Sequence, residues 1–317
     1  MKAEHNYSID ILKIIGIIFI INSHLGDMYG NYSFIAQFGD IGNSLFFFCS
    51  GYTLTLGRID RFDNWYKRRF RRIYATVLAY VFLISTYYGL KFNSYEVFIE
   101  AGGGYWFLPF IMVFYFIYYP IKRFNMPITK LIVILFTFFV IWFYFNPSFE
   151  LPLCDIKRSP YILIFLFGAL MPIKNLPIIK NTYSAIGLII TILTYLIITY
   201  LYRKDTPIVH DNIIFIFPLF IIIVYFLFCF FISNEYKIVK NSKIKKFILH
   251  ISALSLEFYI MQFLFITNKY NEYFPLNIII YLIIVYFSAI MLKITTNLLL
   301  QTFSKEDFNW SEIIKIN

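Results

Sequence analysis

Two residues in the first apolar segment have side chains and a spacing that could do chemistry. Lys13 and His24 are eleven positions apart, which is almost three turns of an α-helix, so on a helix both side chains share one face. Their axial separation would be about 16 Å. An ammonium group could hold a phosphate, and an imidazole could take a proton from an acceptor hydroxyl. This arrangement suits a long ligand with a charged end and a reactive end, such as an acyl-CoA.

A carboxylate lies close to this pair in the sequence. Asp10 precedes Lys13 by three positions, which suits an ion pair that lowers the cost of burying either charge. Structural explanations are also available, because Lys13 could extend to the membrane interface and His24 could cap a helix end. The spacing alone does not choose between ligand binding and these roles.

Two later residues are further candidates for chemistry. Glu257 lies in the middle of an apolar segment, where a carboxylate should face the interior and have a partner. It could orient His24, or it could form a purely structural bridge with Lys293. Ser50 precedes Gly51 and could be a nucleophile or a helix-packing residue, and the small-residue pair favours packing.

A basic segment and an aromatic segment complete the candidates. In the run 67–72, Arg68, Arg69 and Arg72 could hold the nucleotide phosphates of a coenzyme. The same run could instead set topology or contact anionic lipids. Trp106 follows three glycines in an aromatic cluster that could stack on a sugar ring, although aromatic residues at a membrane interface need no ligand.

The elements that must position these residues are apolar helices. The 317-residue chain is 60% hydrophobic and only 15% charged, whereas soluble domains carry about 25% charged residues. Apolar runs near the length of a bilayer span recur throughout. We therefore predict an all-α integral membrane protein of about ten transmembrane helices, near 8–25, 38–56, 73–92, 105–121, 128–145, 159–173, 182–202, 212–232, 248–267 and 275–300.

The distribution of charge predicts the topology. With the N-terminus in the cytoplasm, most of the 28 Lys and Arg residues fall in cytoplasmic segments, as the positive-inside rule requires. Both termini are then cytoplasmic, in a multi-pass protein of the plasma membrane in contact with its lipids. The net charge of +10 is explained by topology, so we expect no nucleic-acid partner. The three cysteines lack metal-ligand spacing, and we expect no metal.

Five segments in order resemble the acyltransferase 3 family of membrane acyltransferases. They are the Asp10, Lys13 and His24 pattern, and the segments 47–51, 68–74, 105–109 and 251–260. The resemblance extends from the first predicted helix to the ninth. The chain departs from the family pattern at several positions, including Lys13, where arginine is common, and Gln262, where many members have histidine.

The resemblance implies a reaction and roles for several residues. It implies transfer of an acyl group from cytoplasmic acetyl-CoA or another acyl-CoA to a carbohydrate acceptor of the cell envelope, with other polysaccharide-biosynthesis proteins as potential partners. His24 would be the catalytic residue, and Lys13 and Arg72 would contact the donor. We expect residues 1–317 to form one transmembrane domain with no appended soluble domain.

Two other classes of protein are compatible with many helices and a buried ion pair. A transporter or flippase for a lipid-linked sugar would be expected to show internal repeats or paired broken helices, and neither is visible in the sequence. A polysaccharide polymerase or ligase would be expected to have a large outer loop, whereas the predicted outer loops are short.

Overall fold

Helices make up all of the regular structure that is described. The computed structural model describes residues 5–88, 106–145, 158–174, 176–204, 213–304 and 307–316, and these ranges contain no strand. Their α-helices are α1 Tyr7–His24, α2 Gly39–Leu56, α3 Phe62–Tyr88, α4 Phe107–Arg123, α5 Ile128–Phe145, α6 Tyr161–Lys174, α7 Asn181–Arg203, α8 Ile216–Val239, α9 Ser242–Ala253, α10 Ser255–Met261, α11 Leu276–Thr302 and α12 Trp310–Ile314. Short 3₁₀ helices occur at Gly26–Met28, Gly30–Ile35, Ile213–Phe215, Gln262–Phe265 and Asn271–Tyr273.

Several of these helices can cross a membrane. Among the described residues, five are long and apolar enough to span a bilayer, namely α1, α5, α7, α8 and α11. The bent pair formed by Ser242–Ala253 and Ser255–Phe265 raises the number to six if it counts as one span. The chain is therefore a multi-pass membrane protein. Each of the ten predicted segments overlaps a helix, but a ten-span topology stays a prediction.

The surfaces of the candidate spans fit a hydrocarbon environment. Helix α7 exposes more than half of the side chains of Ile189, Ile190, Leu193 and Ile197. Water would penalise such a continuous apolar surface, whereas lipid tails do not. The described part of α7 is buried mainly at Ser184, Thr191 and Tyr195, so its small and polar side chains face protein.

The third helix begins earlier than the predicted span 73–92. Helix α3 starts at Phe62 and therefore includes the whole basic run. Arg and Lys have high helix propensity, and nothing in this stretch breaks a helix. The physical consequence is that the basic side chains are displayed at helical spacing instead of along a loop.

Internal contacts divide the chain into two compact units. The first contains Met1–Lys13, Asn43–Ile59 and Phe116–Lys245. Its most buried element is α6, which lies against α2 with very little space between the two backbones. A Cβ atom placed on Gly51 would lie 1.9 Å from the Phe165 carbonyl oxygen, and one on Gly168 would lie 2.2 Å from the Phe48 carbonyl oxygen. The expected role of Gly51 in close helix approach is confirmed.

The second unit contains Ile14–Gly42, Asp60–Tyr115 and Lys246–Asn317. Helices α3, α10 and α11 pack against one another in this unit. The last described helix, α12, packs against α11, where the Asn297 amide donates hydrogen bonds to the carbonyl oxygens of Ile313 and Lys315. The side chain of Ile313 is buried in that contact.

The predicted continuous span 248–267 is wrong in its shape. Helices α9 and α10 meet at Leu254 with a bend of 49°, and Gln262–Phe265 continues as a 3₁₀ helix. No proline or glycine lies at the bend. Serines at 252 and 255 flank it, and hydroxyl side chains of this kind accompany many helix kinks. The bend turns residues 255–265 away from the α9 axis, so this segment cannot be a straight membrane helix.

The close approach of α2 and α6 generates a stability prediction. Replacing Gly51 with Ala forces a methyl group against a backbone oxygen, so the helices must separate at a cost of about 1–3 kcal/mol. Thermal unfolding of the detergent-purified protein should show a lowered Tm. The control is Gly26→Ala, whose added carbon would lie at an ordinary 3.6 Å from Ala36. Equal Tm values for the two variants would contradict this account of the packing.

Candidate active site

His24 is the last residue of α1 and is half-buried. The chain after it is held by Asn22, whose amide donates hydrogen bonds to the carbonyl oxygens of Ile35 at 2.9 Å and Gln37 at 3.1 Å. The Tyr29 hydroxyl donates to the Asn22 side-chain oxygen at 2.6 Å. These contacts fix the chain where α1 ends, and they therefore fix the backbone that presents the His24 imidazole.

A side-chain amide lies beside the His24 ring. His24 Nδ1 lies 3.3 Å from Gln262 Oε1, within hydrogen-bonding range. The Phe263 ring packs beside the imidazole, with 4.6 Å between ring centroids and 56° between planes. Both partners come from the 3₁₀ helix that follows the bend, so the break in the predicted span brings them to His24.

Two hydrogen bonds hold Gln262, one through its side chain and one through its backbone carbonyl. Its side chain is fully buried, and its Nε2 donates a hydrogen bond to the Tyr259 carbonyl oxygen at 3.0 Å. Its own carbonyl oxygen accepts a hydrogen bond from the Tyr281 hydroxyl at 2.9 Å. The amide beside His24 therefore has a fixed position and a fixed orientation.

The sequence left two possible partners for Glu257, His24 and Lys293, and the structure shows the bridge with Lys293. Glu257 Oε1 accepts a hydrogen bond from Lys293 Nζ on α11 at 3.0 Å. Only 1% of the Glu257 side chain is exposed, against 25% of the Lys293 side chain. Arg72 on α3 also attracts this carboxylate electrostatically. The structure thus places Gln262, and not Glu257, at His24 Nδ1, and a catalytic role for Glu257 stays a prediction.

An aromatic cluster contacts the helix that precedes Gln262. Trp106 contacts Phe107 and Phe110, with 6.1 and 5.8 Å between ring centroids. The Phe107 ring lies 5.5 Å from the ring of Tyr259, whose carbonyl accepts the Gln262 hydrogen bond. Trp106 therefore belongs to an aromatic cluster in the same unit as His24. The three glycines at 102–104 lie outside the described residues.

The basic run on α3 is divided by the helix into separate environments. The Arg69 guanidinium lies 4.1 Å from the centre of the Trp65 ring and donates to the Trp65 carbonyl oxygen. Arg72 lies near Glu257, as described above. Arg71 donates to the Leu300 carbonyl oxygen at 3.1 Å. Arg71 therefore has a different neighbour from Arg69 and Arg72, because successive helical positions point in different directions.

A small cavity lies at the start of α3. It has a volume of about 240 Å³ and is lined by Asp60, Asn64, Lys67, Arg68 and Arg71. Arg68 is paired with Asp60 at 2.6 Å, and the three basic side chains outnumber the single carboxylate. The cavity is therefore electropositive and suits an anionic group. Of the three arginines predicted to bind the donor, Arg68 is the one that lines it.

In the first unit, the predicted ion pair is present. Lys13 Nζ lies 3.2 Å from Asp10 Oδ1, and the Asp10 side chain is 9% exposed. His5 contacts the other carboxylate oxygen at 2.5 Å. The start of α1 is further held by Glu235, whose carboxylate accepts hydrogen bonds from the backbone N–H groups of Tyr7 and Ser8.

Ser50 lies in the first unit, half-buried on α2. Its carbonyl oxygen accepts a hydrogen bond from the Thr53 hydroxyl at 3.3 Å. The close packing at the next residue, Gly51, favours the structural interpretation of the Ser50–Gly51 pair. A nucleophilic role for Ser50 gains no further observation from these contacts.

Sequence reasoning missed Gln262 as a site residue. A glutamine in an apolar segment was visible, and it stood out as a departure from the family pattern, but its partner could not be read from spacing. Gln262 and His24 are 238 positions apart, and only the folded chain joins them. Within the described residues, no group of three His, Cys, Asp or Glu side chains could hold a metal ion.

The fold and the site define a class of protein: a multi-pass membrane protein with a half-buried histidine at a helix end, beside a buried amide. The chain matches the family model described as "Acyltransferase domain" over residues 6–296, which is most of its length. It belongs to the acyltransferase 3 family and is a membrane acyltransferase. No curated protein and no solved structure matches the chain.

The Glu257–Lys293 bridge generates a second prediction about stability. Lys293→Met leaves the buried Glu257 carboxylate without its partner and should destabilise the protein by about 3 kcal/mol. Glu257→Gln should cost less, because the partly exposed Lys293 ammonium can extend towards water. The double variant should be more stable than Lys293→Met alone.

The measurement is a double-mutant cycle on unfolding in detergent. Strictly additive effects of the two substitutions would contradict the coupling that this geometry requires.

Proposed function

We propose that this chain is an O-acyltransferase that moves an acyl group, preferably acetyl, from cytoplasmic acyl-CoA to a hydroxyl of a cell-surface or exported carbohydrate. The observation that carries the proposal is the position of His24, half-buried at the end of a membrane helix with Nδ1 beside Gln262. In a chain of the acyltransferase 3 family, this is a placement suited to a general base.

His24 Nε2 takes the proton of an acceptor hydroxyl as the hydroxyl oxygen attacks the thioester carbonyl of the donor. The new bond is the ester C–O bond, and the bond that breaks is the thioester C–S bond. The coenzyme leaves as a thiolate and receives the proton from the imidazolium. The products are the acylated carbohydrate and CoA, and His24 returns to its neutral form.

The donor carries phosphates, and basic side chains would hold them. The electropositive cavity at the start of α3 offers Arg68 together with Lys67 and Arg71. Lys13 is a second proposed donor contact, and its ion pair with Asp10 holds the ammonium in place. Arg69 and Arg72 remain proposed donor contacts from the sequence, although Arg69 packs on the Trp65 ring and Arg72 attracts the Glu257 carboxylate electrostatically.

Trp106 and its aromatic neighbours are proposed as a supporting surface in the unit that contains His24. Aromatic faces stack on sugar rings, which suits a carbohydrate acceptor. For the membrane arrangement we propose ten spans with both termini in the cytoplasm. This proposal assigns α2, α3, α4 and α6 to the membrane in addition to the candidate spans, and it follows the positive-inside rule.

The central prediction concerns His24. Changing His24 to Ala should abolish acyl transfer, because no other group is proposed to take the acceptor proton, while the protein should still reach the membrane. Proton NMR of surface polysaccharide would measure its O-acetyl content, and blotting would measure the amount of membrane protein. The matched control is His250→Ala, whose ring contacts the Tyr286 hydroxyl at 3.0 Å and has no proposed catalytic role.

Loss of the acetyl signal in His24→Ala alone, with the polysaccharide intact, is the expected result. An unchanged acetyl signal would overturn the role of His24. Loss of the polysaccharide itself would favour transport of a lipid-linked sugar, although family membership favours the acyltransferase. Purified protein should also release free CoA from acetyl-CoA, which a transporter would not do.

A further prediction separates donor binding from chemistry. Lys13→Met removes a charge proposed to contact donor phosphate, so it should raise the KM for acyl-CoA roughly tenfold with a smaller change in kcat. The control is Lys130→Met, which removes an exposed lysine of α5. An unchanged KM in Lys13→Met would show that Lys13 has a structural role.

A further inference from the structure

The Gln262 side chain connects two groups that have opposite hydrogen-bonding requirements. On one side lies the carbonyl oxygen of Tyr259, 3.0 Å from Gln262 Nε2. On the other side lies His24 Nδ1, 3.3 Å from Gln262 Oε1. We propose that Gln262 is a positioning residue that holds His24 in the tautomer protonated at Nδ1 and thereby leaves Nε2 as the base. This inference rests on the proposed function.

The orientation of the Gln262 amide follows from Tyr259. A backbone carbonyl oxygen only accepts hydrogen bonds, and an amide NH₂ group only donates them. The NH₂ group must therefore face Tyr259. The reverse orientation would bring two oxygens together and leave both without a donor inside a buried region, where an unsatisfied polar group is costly. Oε1 consequently faces His24.

The His24 tautomer follows from the amide. Oε1 can only accept, so the ring nitrogen that approaches it must carry the proton. A neutral imidazole has one protonated nitrogen and one lone pair, so the lone pair lies on Nε2. The hydrogen bond at one ring nitrogen thus determines the chemistry available at the other.

The surroundings prevent the amide from turning away. Gln262 is fully buried, and its backbone carbonyl oxygen accepts a hydrogen bond from the Tyr281 hydroxyl. Phe263, the next residue, packs against the imidazole ring itself. The two hydrogen bonds of the Gln262 amide run in series, so each polarises the other. Glutamine also adds no net charge in this apolar region, where an unpaired carboxylate would be costly.

The first test measures the tautomer directly and does not depend on acyl-transfer activity. The chain has four histidines, so ¹⁵N-histidine labelling of the purified full-length protein gives few signals, and His24→Ala identifies those of His24. The wild type should show neutral His24 protonated at Nδ1. In Gln262→Leu the signals should shift to include the Nε2-protonated form.

The matched control is Gln301→Leu. Gln301 also makes two hydrogen bonds through its side-chain amide, both to the backbone of Asn309. Its replacement by Leu should leave the His24 signals unchanged. If Gln262→Leu does not accumulate in the membrane, Gln262→Met provides an unbranched side chain of similar length for the same measurement.

The second test separates positioning from substrate binding. Gln262→Leu should lower kcat for acyl transfer from acetyl-CoA by about 10- to 100-fold, the size of effect seen when a partner that orients a metal-bound imidazole is removed. The KM values should change little. Gln262→Met keeps the length of the side chain but offers no oxygen to Nδ1, so it should lose as much kcat as Gln262→Leu, whereas a space-filling role would predict recovery.

Two outcomes would overturn the inference. One is an unchanged His24 tautomer in Gln262→Leu, and the other is a changed tautomer with unchanged kcat. Failure of the proposed function would look different, because His24→Ala would then retain acyl transfer while the tautomer measurement still reports whether Gln262 orients the ring.

Discussion

The apolar interior of a membrane makes every unpartnered polar group expensive, and this constraint accounts for the polar contacts within both units. In the first unit, Asp10 pairs with Lys13. In the second unit, Glu257 pairs with Lys293 and the Gln262 amide makes directed hydrogen bonds. Each contact fixes a side chain in one geometry, because the alternatives leave a charge or a dipole unsatisfied. Polar side chains that are paired in this way can be buried, and a buried polar side chain in a fixed geometry is available for chemistry.

The same constraint explains the division between packing surfaces and lipid-facing surfaces. Where α2 meets α6, glycine replaces larger residues, since attraction between membrane helices comes from close backbone contact and not from exclusion of water. Where α7 faces lipid, large aliphatic side chains are exposed without penalty. A soluble protein would have the opposite arrangement, with the aliphatic side chains inside and the polar ones outside.

The bend between α9 and α10 connects architecture to function. A straight helix over 248–267 would continue past Leu254 along the axis of α9. Instead the chain turns, and a short 3₁₀ helix sets Gln262 and Phe263 against His24. Irregular backbone in a membrane protein is tolerated only where protein satisfies its polar groups. Here the Tyr281 hydroxyl donates to the Gln262 carbonyl oxygen, and the Gln262 side chain donates to the Tyr259 carbonyl oxygen. The irregularity is therefore located where an imidazole has to be oriented.

The sequence by itself determined the features that depend on local pattern. Apolar runs of bilayer-span length located a helix at each of the ten predicted segments. The three-residue spacing predicted the pair of Asp10 with Lys13, because neighbours on one helix are set by its pitch. Family motifs singled out His24. Tertiary structure alone decided the long-range partners: Glu257 with Lys293 and not His24, and Gln262 with His24. These pairs are 36 and 238 positions apart, and sequence spacing does not reveal which residues meet at such separations, because that depends on how helices bend and pack.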